Sequence, residues 1–305
     1  MIRFGLCCIF RKYPVSFRRT TATHLARFSE EDRLTRLAGL CAHNAESLLK
    51  ALVFCRENRI GAFRINSQIL PLKTHPEMGY DIFDLPGAKE IVAAFRACGE
   101  FCLTHDIRTT FHPDQFIVLS SPNPDVVQRS VADLVYQAEV AEWVNADVIN
   151  IHAGGVYGDK PSALSRLAAA IETLPDPVRK SLTLENDDRS YTPQDLFPVC
   201  SDLNIPLVYD VHHHRCLGDG LSVEAATELS MKTWDREPLF HISSPRDGWS
   251  AADPRKHHDY IDIRDLPNHW LSMDITVEVE AKAKELAIKK LMDDLKMTPL
   301  HPLGP

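Results

Sequence analysis

The sequence predicts a single α/β domain with the TIM (β/α)8 barrel fold, on three observations. Eight short β-rich runs alternate with longer helix-like segments, which is typical of parallel strands joined by crossover helices. Eight is also the number of strands that closes this barrel, and the length of 305 residues suits a fold that usually needs about 250. We therefore expect one domain over residues 1–297, followed by a flexible, proline-rich tail over residues 298–305.

The predicted strands are short, apolar and bounded by turn residues. In chain order they are Ile2–Cys7, Ala62–Asn66, Ile107–His112, Val148–His152, Ser181–Glu185, Pro206–Asp210, Leu239–Ile242 and Met273–Val279. The doubly wound open sheet is the alternative fold. Its nucleotide-binding versions carry a glycine-rich phosphate turn after an early strand, and the chain has none.

The predicted helices fill the segments between these strands. They are Ala45–Glu57, Ala88–His105, Pro124–Val144, Lys160–Glu172, Pro193–Leu203, Val223–Thr233 and Glu280–Leu295. Two of them begin with strong signals, because Asn123 and Thr192 can act as N-caps and each precedes a proline at the first helical position.

The net charge of −8 argues, taken alone, against binding to nucleic acid, since phosphate contacts require lysine and arginine. The charge is unevenly distributed, however. Residues 1–29 hold no carboxylate but six basic side chains: Arg3, Arg11, Lys12, Arg18, Arg19 and Arg27. A second basic group comprises Arg246, Arg255 and Lys256. Each group is compatible either with phosphate binding or with an ordinary solvated surface.

Cysteine usage and hydropathy indicate a cytoplasmic protein. The eight cysteines include no Cys-x-x-Cys pair and do not resemble a disulfide framework. No apolar run approaches the roughly 20 residues that cross a bilayer. The apolar start precedes its basic residues, the reverse of a signal peptide. We expect a monomer without membrane association.

Histidines and carboxylates stand at or just after the ends of successive predicted strands. They are His112, His152, Glu185, Asp210, His213, His241 and Glu280, and His257 lies in the loop after the seventh strand. The carboxyl ends of the strands in a parallel barrel meet at one mouth, so we expect these side chains to converge there. Imidazole and carboxylate are ligands of Zn²⁺, Mn²⁺ and Fe²⁺, and eight ligands suit two or three ions, with Glu185 bridging. Their neighbours His212, His214 and His258 are predicted to be hydrogen-bonded structural residues.

Several segments together resemble the UV damage endonucleases. They are Phe111–Phe116, Leu184–Asp188, Tyr209–His213 and Val279–Lys282, with Arg64–Ser67 and His241–Ser244 in support. The resemblance runs in order over nearly the whole chain. It implies a barrel similar to endonuclease IV, divalent ions that are typically manganese, and double-stranded damaged DNA as substrate. It further implies a nick immediately 5′ to a pyrimidine photoproduct, leaving 3′-hydroxyl and 5′-phosphate ends, with abasic sites as further substrates.

The resemblance also assigns roles to individual residues. It implies that the eight residues at the strand ends are the metal ligands, and that Glu185 and His241 are catalytic. The His-x-Asp-Tyr spacing favours His257 over His258 as the ligand. The residues implied to contact DNA are Gln115, Phe116, Arg64 and Asn66, with the Gln115-Phe116 pair probing the duplex at the lesion.

Two positions depart from the family pattern. Leu239 stands where family members can carry a lysine, which can be carboxylated and bridge metals, so we expect the cluster to lack that bridge. Leu6 stands near the end of the first strand, where an aromatic residue is expected. The first departure concerns the number of ions and the second the preference among lesions.

Two alternative functions remain open from the sequence. A sugar isomerase-like barrel also gathers His, Glu and Asp around two metals, but would need neither Gln115-Phe116 nor the basic N-terminal segment. A non-catalytic damage-binding protein could retain the same barrel. Cleavage of a lesion-containing duplex with Mn²⁺ separates the three.

Overall fold

The computed structural model describes residues 2–297, and at its centre lies a closed barrel of eight parallel strands. Each strand pairs with the next along the chain, and the last pairs with the first. The strands are β1 (Arg3–Cys7), β2 (Ala62–Ile65), β3 (Arg108–Phe111), β4 (Ala146–His152), β5 (Leu182–Glu185), β6 (Leu207–Asp210), β7 (Leu239–Ile242) and β8 (Thr276–Val279). The predicted TIM barrel is therefore confirmed. The predicted tail over residues 298–305 lies outside the described residues.

Ten α-helices occur within residues 2–297 and surround the barrel or lie in its connecting loops. They are α1 (Ala22–Leu25), α2 (Glu30–Glu57), α3 (Ala88–His105), α4 (Pro124–Val144), α5 (Lys160–Glu172), α6 (Asp176–Ser181), α7 (Pro193–Leu203), α8 (Val211–Cys216), α9 (Val223–Met231) and α10 (Glu285–Met297). Three short 3₁₀ turns accompany them: Ile82–Asp84, Ile263–Asp265 and Asn268–Ser272.

The helix starts predicted from capping residues are confirmed. The Asn123 side chain accepts a hydrogen bond from the backbone N–H of Asp125, and Pro124 opens α4. Thr192 and Asp195 form a reciprocal capping box at the start of α7. These caps satisfy backbone N–H groups that have no partner inside the helix.

The first long helix begins well before the predicted Ala45. Ser29 caps α2 by accepting a hydrogen bond from the N–H of Asp32. Acidic side chains fill the first turn, where they interact favourably with the helix dipole. Leu37, Ala38, Cys41 and Ala45 are buried at helical spacing, so the apolar stripe extends back from Ala45 and the predicted start was too late.

The last helix begins later than the predicted Glu280. Lys284 has a φ of 55°, a left-handed conformation that an α-helix cannot continue through, and α10 begins only at Glu285. Glu280 thus lies in the segment directly after β8. The strand itself begins at Thr276 rather than Met273, because the preceding residues form the 3₁₀ turn Asn268–Ser272.

Both residues that depart from the family pattern are buried, Leu6 in the main core and Leu239 in a separate small cluster. Leu6 is fully buried in β1. Leu239 packs with Val148 and Val208 in a small apolar cluster, and Trp234 lies against it. All eight cysteines are free thiols, six of them buried. Among residues 2–297, no helix has both the length and the apolar character that crossing a membrane requires.

Candidate metal centre

The carboxylate of Glu185 lies at the centre of a histidine cluster at the carboxyl end of the barrel. Its Oε2 is 2.9 Å from Nε2 of His112 and 4.0 Å from Nε2 of His152. Its Oε1 is 3.1 Å from Nδ1 of His241 and 3.3 Å from Nδ1 of His213. One fully buried carboxylate thus contacts or approaches histidines from four different barrel segments.

Strand register explains this convergence. His152 on β4 is the register partner of Glu185 on β5, and Asp210 on β6 is the partner of His241 on β7. Because the strands are parallel, side chains from adjacent strand ends meet at the same height in the barrel. His213 joins them from the first turns of α8, where Asp210 is the N-cap and accepts a hydrogen bond from the His213 N–H at 2.8 Å.

The remaining two predicted ligands complete the cluster on the β7–β8 side. Oε1 of Glu280 lies 3.6 Å from Nδ1 of His241, and its Oε2 lies 3.8 Å from Nδ1 of His257. His258 instead hydrogen-bonds through Nδ1 to the N–H of Tyr260. The structure therefore brings all eight predicted residues together and turns His257, not His258, toward them.

Electrostatics in the cluster favour an ionised Glu185. Burial alone would raise the pKa of this carboxyl. Interactions with His241 and His152, and hydrogen bonds from His112 and His213, outweigh burial and hold the pKa well below its usual range. Glu185 is therefore favoured in its ionised form although its carboxylate is fully buried.

The surroundings shift the pKa values of the histidines in opposite directions. Burial opposes protonation of His241, but Glu185 outweighs it and raises the pKa of His241 to about 10. Burial likewise opposes protonation of His213, yet Asp210 and Glu185 raise its pKa well above the usual range. For His152 burial prevails and lowers the pKa. In the absence of other cations, protons on His241 and His213 balance the buried carboxylates.

The donor set fits divalent metal ions. Three overlapping groups bring their ligand atoms within 4.8 Å of one another: His112, His152 and Glu185; His112, His241 and Glu280; Glu185, Asp210 and His213. Within the described residues, Nδ1 of His152 and Oδ2 of Asp210 are buried without a hydrogen-bond partner. Buried polar atoms are rarely left unpaired, so these two atoms fit the coordination of a cation.

Arg64 does not lie on the surface, although the sequence placed it among the residues that contact DNA. It is 7% exposed, and its Nη1 lies 2.6 Å from Oε1 of Glu280. Its Nε lies 2.5 Å from Oε2 of Glu278, and its Nη2 lies 2.8 Å from Nε2 of His241. This placement favours a role in the carboxylate network beneath the cluster over direct contact with DNA. Glu278 of this network could not be recognised from the sequence, because its position is that of an ordinary strand residue.

The other residues implied to contact DNA lie in loops at the mouth. Gln115 is exposed and Phe116 is 75% exposed in the loop after β3. Asn66 is half-buried directly after β2, and its side chain accepts a hydrogen bond from the N–H of Gln68. Phe116 is thus free to meet a ligand and does not pack in the core.

The three histidines expected to be structural differ. His214 is buried and hydrogen-bonds to the Tyr209 hydroxyl at 2.7 Å and to Asp219 at 2.8 Å. His258 has the hydrogen bond described above. His212 is wholly buried beside Trp249; neither ring nitrogen bonds to another side chain within residues 2–297, and the polar partner of its ring is the backbone of Arg255.

The basic N-terminal segment forms an anchored loop beside the mouth. Glu285 accepts hydrogen bonds from the backbone N–H groups of Arg11 and Lys12, both at 2.7 Å. Asn44 accepts a hydrogen bond from the N–H of Arg18 at 2.7 Å and donates one to its carbonyl. The side chains of Arg11, Lys12, Arg18 and Arg19 are exposed. The backbone is therefore fixed while its cationic side chains face solvent on the side where β1 ends.

A closed parallel barrel that carries this histidine and carboxylate cluster defines a TIM-barrel protein with a candidate metal-binding site. A family model described as UV-endonuclease UvdE matches residues 2–303. The UV DNA damage endonuclease of Bacillus velezensis is 32% identical, with 97% of this chain and 94% of the relative covered. That of Bacillus pumilus is 33% identical over 90% of this chain and 87% of the relative. The chain therefore belongs to the UV-endonuclease UvdE family.

Solved structures agree with this assignment. SacUVDE superposes with a TM-score of 0.86 at 26% identity, covering 97% of this chain and 98% of that one. Endonuclease IV from Thermus thermophilus has a TM-score of 0.63 at 14% identity, covering 97% and 100% of the two chains, and shares the fold. A 3-keto-D-glucoside 4-epimerase from E. coli also shares the fold, with a TM-score of 0.58 at 10% identity and coverage of 98% and 100%. The barrel alone therefore does not separate nucleases from sugar enzymes.

Proposed function

We propose that this protein is a metal-dependent DNA repair endonuclease that nicks double-stranded DNA immediately 5′ to UV photoproducts. The products are a 3′-hydroxyl and a 5′-phosphate, and abasic sites are further substrates. Family membership supports the class of reaction. The observation that carries the proposal is the position of Glu185, whose buried carboxylate is shared by two of the three potential metal-binding groups.

The residues proposed to hold two or three ions, most simply Mn²⁺, are the eight of the cluster. Bound ions of this kind supply hydroxide near neutral pH and stabilise the attacking and leaving oxygens of a phosphodiester. Glu185 is proposed to bridge them, since each of its oxygens faces a different set of histidines.

The chain's own residues prepare this site. Glu185 and Glu280 stay ionised, because neighbouring His241 and Arg64 offset the cost of burying their charge. His152 and His257 are the most exposed of the cluster's histidines, with 28% and 25% of their side chains accessible. A phosphodiester would therefore approach on the side of these two histidines.

Loops around the mouth offer contacts for a duplex. Phe116 presents an aromatic face on which a base can stack regardless of sequence. Damaged bases stack and pair poorly, so they are easier to displace from the helix than normal ones. The net charge of −8 conceals a local excess of cations. The anchored loop over residues 8–21 carries basic side chains that can contact backbone phosphates.

The decisive experiment incubates the purified protein with an end-labelled duplex that carries one pyrimidine photoproduct, in the presence of Mn²⁺. We expect one nick directly 5′ to the lesion, with ends that show a 3′-hydroxyl and a 5′-phosphate. An undamaged duplex of the same sequence and a chelator-treated sample are the controls, and neither should be cut.

The same experiment distinguishes the alternatives. Binding of the damaged duplex without a nick under any divalent metal would favour a non-catalytic damage-binding barrel. Neither binding nor cleavage of photoproduct or abasic duplexes, combined with turnover of a ketose, would favour the sugar isomerase-like reaction. Metal analysis of the same preparation gives the identity and number of ions.

A further inference from the structure

A further buried acid, outside the predicted ligand set, lies directly beneath the cluster. Glu278 is on β8, two residues before Glu280, which follows the strand, so both side chains face the barrel interior. It is 1% exposed and is the register partner of His241. It belongs to none of the three groups that could hold an ion. A buried carboxylate with no ligand role requires another explanation.

The two ring nitrogens of His241 face different acids. Nδ1 points to the cluster, 3.1 Å from Glu185 and 3.6 Å from Glu280. Nε2 points away from it, 3.1 Å from Oε2 of Glu278. Metal-ligating histidines almost always donate their second ring N–H to a carboxylate or carbonyl, which fixes tautomer and ring orientation.

We propose that Glu278 is a positioning residue of the metal centre, which accepts the Nε2–H of His241 and so keeps the Nδ1 lone pair turned toward the metal. The inference rests on the metal centre proposed above. It also assigns a role to Arg64, as the cation that holds Glu278 in place rather than as a contact with DNA.

Two hydrogen-bond donors and a glycine on the neighbouring strand fix the position of the Glu278 side chain. Arg64 donates from Nε to Oε2 at 2.5 Å, and the Thr110 hydroxyl donates to Oε1. A Cβ atom added at Gly5, on the neighbouring strand β1, would lie 3.0 Å from Cγ of Glu278. Gly5 therefore leaves the space that the glutamate side chain occupies.

Arg64 also shows why the carboxylate is needed. Its Nη2 lies 2.8 Å from Nε2 of His241. Without Glu278, this N–H would donate to the Nε2 lone pair and favour the tautomer protonated at Nδ1. That proton would occupy the atom that faces the metal. Glu278 prevents this by accepting from both donors.

The test measures Mn²⁺ affinity by calorimetric titration of the purified, metal-stripped protein. Glu278→Leu removes the acceptor, and we expect Mn²⁺ affinity to fall about 10–100-fold. Glu278→Gln keeps an oxygen that can accept the Nε2–H, and should retain most of the affinity. In the zinc-loaded wild type, nitrogen-edited NMR should show a hydrogen-bonded Nε2–H on His241, absent in Glu278→Leu.

A matched control lies at the other end of the barrel. Glu237 accepts hydrogen bonds from Arg3 and from the Thr276 hydroxyl, as Glu278 does from Arg64 and Thr110. Glu237→Leu should lower thermal stability but leave Mn²⁺ affinity unchanged. If Glu278→Leu does not fold, Arg64→Met/Glu278→Leu removes both buried charges and should show the same loss of affinity.

The outcomes separate this inference from the proposed function. A wild type that binds Mn²⁺, with a Glu278→Leu or double variant that binds it equally tightly, would overturn the positioning role alone. A wild type that binds no divalent metal would overturn the proposed metal centre and this inference with it. Loss of affinity in Glu237→Leu as well would assign the effect to general destabilisation and contradict the proposal.

Discussion

Asn150 donates a hydrogen bond from Nδ2 to Oε2 of Glu185 at 2.6 Å. Both side chains are fully buried, and the Thr183 hydroxyl donates in turn to Oδ1 of Asn150 at 2.9 Å. The position of Glu185 thus depends on a polar chain inside the barrel, and only part of its bonding depends on the histidines.

Glu185→Gln should therefore abolish nicking and leave the fold intact. The glutamine oxygen can still accept from Asn150, but the negative charge that would bridge the metals is lost. Nicking of a photoproduct duplex, metal content and circular dichroism measure the three effects. Glu142→Gln, at an exposed position on α4, is the control. Unchanged cleavage by Glu185→Gln would show that the metal assignment is wrong.

Phe116→Ala should weaken binding to a damaged duplex by about 1–3 kcal/mol, if a base stacks on the ring. Stability should hardly change, because 75% of the side chain is exposed. Equilibrium binding and thermal unfolding measure the two effects. Leu103→Ala removes a similarly exposed apolar side chain on α3, at 67%, and should leave affinity unchanged. Equal affinity in both variants would exclude stacking at Phe116.

Arg18→Gln/Arg19→Gln should reduce affinity for damaged and undamaged duplexes alike. If both side chains contact phosphates, the slope of log affinity against log salt becomes shallower by about 0.9 for each lost contact. The measurement is a titration of duplex at several salt concentrations, carried out without divalent metal.

The matched control removes two charges from the opposite end of the barrel. Arg56 is in the last turn of α2 and Lys180 in the last turn of α6, both exposed and both preceding a strand. Arg56→Gln/Lys180→Gln should leave the salt slope unchanged. An equal reduction in both double variants would attribute the effect to net charge, not to the loop.

The metal-free protein should lose stability as pH rises from about 6.5 to 8. The pKa of His241 is raised from 6.5 to about 10 by folding, so the folded state binds more protons than the unfolded state across this window. His213 is shifted in the same direction. Urea unfolding at several pH values measures the slope. It should be flatter in His241→Gln, and bound metal should reverse it by replacing the protons. A stability that rises over this window would contradict these shifts.

Much of the fold could be predicted from the sequence, because alternation and capping are local signals. Asn123 and Thr192 are N-caps that indicate the start of α4 and α7 from only a few residues of sequence. Most of the proposed ligands could be predicted because they stand at or just after the end of an apolar run, whereas His257 lies in a loop and was chosen from the His-x-Asp-Tyr spacing. The boundaries at Glu30 and Glu285 were missed, because one depends on a polar first turn and the other on the left-handed Lys284.

Glu278 and the burial of Arg64 could not be predicted in this way. In a parallel barrel the outward side of each strand packs on helices, so polar residues of an alternating strand face the interior. Thr276 and Glu278 therefore point into the barrel. On a sheet with one face in water, such polar residues would instead point to solvent. The partners of Arg64 are 214 and 216 positions away, too distant for any local pattern to indicate.

This separation along the chain has a consequence for synthesis. β1 can pair with β8, and so close the barrel, only after β8 has been synthesised. The ion pair between Arg64 and Glu280 likewise requires the end of the chain. A nascent chain that terminated before Thr276 would already contain every predicted ligand except Glu280, yet would have no closed barrel to assemble them. Premature termination would thus release a polypeptide that holds most of the proposed ligand side chains without an organised site, and the ribosome must deliver nearly the whole chain before the mouth of the barrel can assemble.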